Sequence, residues 1–433
     1  MPIPLTMMSD EMTMRGVDRR TFLKSAAGVA AAATLMESEM PAQSSVPKGA
    51  DPASKVELSP IHAASEAPEA TPGPFAPSDK RIGFAVVGLG RLSLNQILPA
   101  FAKSKVCRVT ALVSGDHEKA RKIAAQYGVP ETSITDYAGY EKLASMPNVD
   151  AVYIVLPNSM HREFVERSAK IRKHVLCEKP MATNVADCEA MIVACNSANV
   201  KLMIAYRQQY EPMNRTLQKA IRDGKLGKVH SIIASNAQDQ GDPTQWRLNR
   251  KLAGGGALPD VGIYCINAAR FLTGEEPEEV TGTLVQPKDD PRFREVESLV
   301  SATLRFPSGM VATVSTAYNT HRSTFLRVEG EDAMAEMDPA FGYHGSKLRY
   351  SRLMDGKDTV VEPSIEEKDQ FALEMDHFAD CVIKNLQPHT PGEEGLQDHR
   401  IIDAIYKAAA TGKTVKLSQP SKTRGPDLPP MES

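Results

Sequence analysis

The sequence predicts an α/β protein in two parts: an N-terminal doubly wound parallel sheet and a C-terminal α+β region with a large, mostly antiparallel open sheet. Three observations predict it. Arg81 to Ser93, RIGFAVVGLGRLS, reads as an apolar strand that stops at Gly88-Leu89-Gly90 and opens a helix. Short apolar runs then alternate with helical patterns as far as Ala205, the signature of βαβ units. After that the runs lengthen, and some are joined by hairpin signals such as Pro307-Ser308-Gly309.

The first unit has the shape of a dinucleotide-binding turn, as in a Rossmann sheet. Gly88 permits the tight turn and Gly90 lets backbone approach a pyrophosphate. Ser93 takes the third small position, and Asn95 to Ala102 forms the amphipathic run that follows. The opened helix offers unpaired N–H groups to phosphates. Arg108 to Val113 is the second strand, Glu118 to Tyr127 a helix and Ala151 to Leu156 a fully apolar strand. His161 to Lys170 is a helix, His174 to Cys177 a strand, Val185 to Ala198 a helix and Lys201 to Ala205 a strand. In the second half, Val229 to Ala234, Glu279 to Val285, Leu299 to Phe306, Met310 to Tyr318 and Phe325 to Gly330 read as strands. Glu374 to Lys384 and His399 to Ala410 read as helices, and the chain after Lys416 is polar and proline-rich.

At 433 residues the chain is too long for one small core. A net charge of -3 without a basic block excludes nucleic acid as the natural partner. No apolar run reaches the ~20 residues that span a bilayer. Cys107, Cys177, Cys188, Cys195, Cys265 and Cys381 show neither CxxC pairing nor metal-ligand spacing, so they read as buried thiols and no metal site is expected. Asp18 to Lys24, DRRTFLK, followed by a weakly apolar run from Ala26 to Met36, resembles a twin-arginine signal, with Asp18 where Ser or Thr is usual. This predicts export to the periplasm in the folded state, the segment being either cleaved at a small-x-small site formed by Ala42 and Ser44 or retained as an uncleaved anchor. Pro41 to Asp79 carries Pro68, Pro72, Pro74 and Pro77 and reads either as a solvated linker or as an arm packed on a neighbouring surface. The expected segments are thus a signal over 1–40, an arm over 41–79, a nucleotide-binding domain over 80–205, a substrate and oligomerisation domain over 206–417 and a polar tail over 418–433.

The end of the second strand selects the nicotinamide cofactor. An acid there binds the ribose of NAD. This chain has Ser114 and Gly115, with Lys119 and Arg121 nearby, which favours the 2′-phosphate of NADP. Asp116 argues for NAD unless it caps the next helix.

Three residues are candidates for chemistry. Glu178-Lys179-Pro180 ends a buried strand, where α/β sheets bind ligands, and a lysine there stabilises negative charge. Gly254 to Asp260, GGGALPD, opens a helix over Val261 to Phe271. Asp260 and Tyr264 are four apart and share a helical face. They read as an acid/base pair, or as a helix cap and a half-buried core residue. Trp246 and Arg247 lie just upstream.

These segments together resemble the glucose–fructose oxidoreductase / inositol dehydrogenase / rhizopine-catabolism oxidoreductase family. The resemblance runs over Lys80 to Leu417 and is carried by GLGRLSLNQILPAF (Gly88–Phe101), LPNSMH (Leu156–His161), CEKPMAT (Cys177–Thr183), AYRQQYEPMNR (Ala205–Arg215) and WRLNRKLAGGGALPDVGIYC (Trp246–Cys265). Many members have His where Tyr264 stands, and the exported branch has Tyr. The resemblance implies that Lys179 contacts the reacting end of a sugar, Tyr264 exchanges its proton and Asp260 orients its hydroxyls. It implies an NADP site lined by Gly88, Gly90, Leu92, Ser114, Lys119, Tyr137, Leu156, Asn158, His161, Glu178, Lys179, Arg207, Trp246, Arg247 and Tyr343. It further implies small-molecule sugars as partners, and a homodimer or homotetramer built on the open sheet with the arm around a neighbour. The implied reaction oxidises an aldose at C1 to its lactone and returns the hydride, through tightly bound NADP(H), to a second sugar such as fructose. A conventional NADP-dependent aldose 1-dehydrogenase with exchangeable cofactor fits the same motifs. Gln208, Gln209, Asp239, Gln240 and Asp242 are expected in the substrate loops.

Overall fold

The computed structural model describes residues 81–430. The expected signal and arm lie outside the described residues. The first sheet has the order β3-β2-β1-β4-β5-β6, all parallel. Its strands are β1 (Ile82–Val87), β2 (Cys107–Val113), β3 (Ile134–Thr135), β4 (Ala151–Ile154), β5 (His174–Glu178) and β6 (Leu202–Ala205). This is the doubly wound order, with its switch point between β1 and β4. β4, AVYI, is buried at every position, because helices cover both faces of a parallel sheet. The covering helices are α1 (Leu98–Lys103), α2 (His117–Tyr127), α3 (His161–Lys170) and α4 (Val185–Ala198). The helix expected from Asn95 begins instead as a π-turn over Ser93–Ile97.

The second sheet has nine strands in the order β14-β13-β12-β11-β7-β10-β9-β8-β15, antiparallel except where β7 meets β10. These are β7 (Val229–Asp239), β8 (Glu279–Val285), β9 (Leu299–Arg305), β10 (Val311–Ala317), β11 (Asn319–Gly330), β12 (Ala333–Met337), β13 (Leu348–Met354), β14 (Lys357–Val361) and β15 (Val415–Lys416). Along β9, Val300, Ala302 and Leu304 are buried while their neighbours are not, so one face makes the core. α5 (Pro212–Arg222), α6 (Arg250–Ala253) and α7 (Ile263–Thr273) follow in this region. The hairpin at Pro307-Ser308-Gly309 forms as expected, with Gly309 at φ +87°.

The chain returns late to the first sheet. α8 (Gln370–Ile383) packs Phe371, Met375 and Phe378 against Phe84, Val86 and Phe101. α9 (Gly392–Thr411) reaches β8 on one side and β6 and α4 on the other, so the two sheets share one core. A boundary after Ala205 therefore does not divide the packing: a helix expected in the substrate region completes the nucleotide-binding layer. The expected polar tail is a strap. Arg424 Nε donates to Glu394 at 3.0 Å, Thr423 to Glu276 at 2.9 Å and Gly425 N to the His389 carbonyl at 2.9 Å. All six cysteines are buried and unpaired. No helix among the described residues is long and apolar enough to cross a membrane.

Candidate functional site

A cleft of about 1080 Å³ opens at the carboxyl ends of β1, β4 and β5 and runs to β7 and β11, large enough for a dinucleotide and a small substrate. Gly88 has φ +93°, and a Cβ there would lie 2.2 Å from the Val155 carbonyl oxygen, so only glycine fits. A Cβ on Gly90, which lines the cleft, would meet nothing within 4 Å. Ser93 Oγ donates to the Gly88 carbonyl at 2.5 Å and locks the turn. Beyond β2, the Asp116 carboxylate accepts the Lys119 N–H at 2.9 Å. It is committed as the cap of α2. Ser114 and Lys119 line the cleft beside it, a donor set suited to a 2′-phosphate.

The opposite end is built around Asp260. The residue is not an N-cap. It sits in a π-turn over Leu258–Gly262 ahead of α7. The glycines before it are pinned by Glu297, whose carboxylate accepts Gly256 N at 2.9 Å, Leu258 N at 3.0 Å and the Tyr406 hydroxyl at 2.9 Å. Gly256 has no room for a Cβ, which would stand 2.1 Å from the Glu297 carbonyl oxygen. Asp260 accepts from Lys179 Nζ (3.2 Å), the Tyr318 hydroxyl (2.5 Å) and Arg247 Nε (3.1 Å). Lys179 Nζ also donates to the Asp260 carbonyl at 2.8 Å. Burial opposes the Asp260 charge, but Lys179, Arg247 and the Tyr318 hydrogen bond hold its pKa down to about 2. Burial likewise opposes the Lys179 ammonium, and Tyr264, Asp260 and Glu178 keep its pKa above the usual lysine value. The Tyr264 ring lies 4.6 Å from Lys179 Nζ and 4.9 Å from the Arg207 guanidinium. Arg207 donates to the Phe341 and Gly342 carbonyls and to Gln370, and stacks 4.5 Å from Tyr343.

Gly88, Gly90, Leu92, Ser114, Lys119, Tyr137, Leu156, Asn158, Glu178, Lys179, Arg207, Trp246, Arg247, Asp260, Tyr264 and Tyr343 all line this one cleft. His161 does not. It is fully buried, with its ring nitrogens 2.9 Å from the Leu156 carbonyl and 3.0 Å from the Pro180 carbonyl. It braces the loop after β4 against the one after Lys179. Of the expected substrate-loop residues, Asp239 and Asp242 line the cleft. Gln209 is buried and donates to Asn267 and Glu394, while Gln208 donates to Gln370. Gln240 is buried beneath Gln245, to which it donates at 2.8 Å. Tyr318 and the rim residues Thr320, His321 and Arg322 carry no local motif, and the sequence analysis missed them.

Residues 82–206 match the description "Oxidoreductase family, NAD-binding Rossmann fold", and residues 214–336 match the GFO/IDH/MocA C-terminal domain. The D-xylose 1-dehydrogenase [NADP(+)] of Haloarcula marismortui is 35% identical over 346 residues, covering 78% of this chain and 94% of that protein. The chain belongs to the GFO/IDH/MocA oxidoreductase family. Another relative, D-xylose 1-dehydrogenase (NADP(+)) 2 of Haloferax volcanii, is 32% identical over 77% of this chain and 99% of its own length. The crystal structure of the aldose-aldose oxidoreductase of Caulobacter crescentus complexed with glycerol superposes with a TM-score of 0.75 at 45% identity, covering 78% of this chain and all of that one. This GFO/IDH/MocA member also carries a twin-arginine signal sequence, matched over residues 16–36, and is exported to the periplasm by that route.

Proposed function

We propose that this protein is an NADP-dependent sugar oxidoreductase that oxidises an aldose at C1 to the lactone and returns the hydride from the same bound nucleotide to the carbonyl carbon of a second sugar. One observation carries the reading: the half-buried triangle of Lys179, Asp260 and Tyr264, facing a cleft that begins at the Gly88–Gly90 turn.

The residues fit the cofactor. Ser114 and Lys119 would hold the 2′-phosphate, and the backbone at Gly90 would meet the pyrophosphate. Bound NADP supplies the hydride acceptor. Lys179 gives two of its three donors to Asp260, leaving one for the reacting sugar oxygen. Tyr264 takes the proton of that oxygen in the first half-reaction and gives it back to the carbonyl oxygen of the second sugar in the next. Asp260 stays ionised throughout. It is no proton donor; it fixes Lys179 and offers its remaining lone pairs to sugar hydroxyls. The protons balance: aldose and second sugar become lactone and polyol, with no net proton exchanged with water.

The relative named aldose-aldose oxidoreductase and the export signal support transfer between two sugars, since an exported enzyme is separated from the cytosolic nucleotide pool. The relatives named D-xylose 1-dehydrogenase favour a second reading, in which the same residues serve an enzyme that exchanges NADPH after each turnover.

Lys179→Met and Tyr264→Phe test the chemistry. Each is expected to lower aldose-dependent NADPH formation at least about a hundredfold while NADP still binds, as read by fluorescence titration. Activity within a few-fold of the unaltered protein would refute the assignment.

A further inference from the structure

Behind the cleft wall lies a chain of three side chains that the reaction does not use. Glu178 faces the cleft, Tyr153 lies beneath it, and Glu374 of α8 lies deeper still; Tyr153 and Glu374 are fully buried. The Tyr153 hydroxyl stands 2.9 Å from Glu178 Oε1 and 3.2 Å from Glu374 Oε1. A phenol has one proton to donate, and here two carboxyl groups reach for it. The second Glu374 oxygen is buried with no partner. Two ionised carboxylates would therefore share one donor and leave a bare anionic oxygen in a dry interior, which is costly without a cation in contact. Proton count and geometry are reconciled if Glu374 is a neutral acid that donates to the Tyr153 oxygen, freeing the Tyr153 proton for Glu178.

The charges around the chain place the anion at the cleft end. Burial raises the Glu178 acid too, but Lys179, the Tyr153 hydrogen bond and Arg207 oppose that rise, with the Lys179 N–H 3.2 Å from its Oε2. Glu374 faces Glu178, Asp369 and Arg207, with the Tyr210 hydroxyl nearby. Burial and the Glu178 charge push its acid well above the carboxylate range.

We infer that Tyr153 and a protonated Glu374 are positioning residues that hold the Glu178 carboxylate ionised and fixed in the cleft wall, so that this wall discriminates the charge of the bound nicotinamide. The inference rests on the proposed nucleotide seat. An oxidised nicotinamide ring is cationic and a reduced one is neutral, so an anion held in this wall strengthens NADP+ binding relative to NADPH.

Infrared spectroscopy of the full-length protein, grown with isotope-labelled glutamate and free of nucleotide, tests the buried end. A protonated-carboxyl C=O band assigned to glutamate is expected at neutral pH, lost in Glu374→Gln and displaced in Tyr153→Phe. Glu211, also buried, accepts from Met213 N, Asn214 N and the Asn214 amide, so the Glu374→Gln difference separates the two. Titration with NADP+ and with NADPH tests the cleft end. Tyr153→Phe is expected to weaken NADP+ about tenfold more than NADPH. Glu374→Gln, whose amide still donates to Tyr153, is expected to keep the ratio. No glutamate band in the unaltered protein, or no band lost on going to Glu374→Gln, overturns the proton assignment whatever the nucleotide does. A correct band with an unchanged NADP+/NADPH ratio in Tyr153→Phe overturns the link to the nucleotide. A failure of the seat itself differs from both, because neither nucleotide would then bind the unaltered protein.

Discussion

Asp260 is the residue on which the site turns, and its environment decides its role. Three donors converge on its carboxylate, which suits the anchoring role the proposed function gives it. Tyr318, which is fully buried, gives its hydroxyl proton to Asp260. Tyr318→Phe is expected to cost about 1–3 kcal/mol of stability and to lower kcat about tenfold with little change in KM, because Lys179 loses its fixed partner. Steady-state kinetics and thermal melting check this, and an unchanged kcat would contradict it. Lys179, Asp260 and Tyr264 were legible in the sequence because each lies on a local pattern, a strand end or a helical four-residue step. Tyr318, Glu297 and Glu374 were not. They reach the site from elements 41 to 221 residues away in sequence, and no local spacing encodes such a contact. His161 shows the reverse error. It stands in a motif beside cleft residues, yet its ring turns inward to brace two loops.

At the scale of elements, the βα turn makes a sharp distinction between two glycines. Gly88→Ala places a Cβ 2.2 Å from a carbonyl at a positive φ, and is expected to lower both thermal stability and nucleotide affinity. Gly90→Ala meets no protein atom, so the melting temperature is expected to hold while NADP affinity falls about tenfold or more, as a methyl enters the phosphate approach. Equal effects of the two changes would refute the placement of the phosphates. The parallel strands were easy to read because they are buried on both faces. The hairpin β13–β14 went unread because its strands are largely exposed and show no alternation of buried apolar and polar positions. Its turn, Asp355-Gly356, carried the signal: both residues have positive φ, 50° and 74°, as a type I′ hairpin needs. α8 was anticipated from Glu374 but begins at Gln370, capped by Asp369, which accepts Ala372 N at 2.9 Å.

Across the whole molecule, α9 ties the two sheets together and reaches the loop after Lys179. His399 Nε2 accepts the Ala182 N–H at 3.2 Å, three residues beyond Lys179. Burial, with His161 nearby, pushes the His399 pKa from 6.5 down to about 4. A histidine held neutral in the folded state contributes stability that is complete above 6.5 and lost as pH falls towards 4, roughly 3 kcal/mol over that interval. His399→Gln keeps an acceptor for Ala182 and cannot titrate. Its melting temperature is expected to fall less than that of the unaltered protein between those two pH values, and an identical fall would contradict the assignment. The proposed function rests on one claim, that a single bound nucleotide serves two sugars. The direct test takes purified, exhaustively dialysed protein with an aldose and a second sugar, glucose with fructose and then glucose with xylose, and no added nucleotide. Matched formation of the aldonic acid and the polyol is predicted. No product until NADP is supplied, followed by NADPH accumulation with the aldose alone, would contradict the claim and identify an ordinary aldose dehydrogenase.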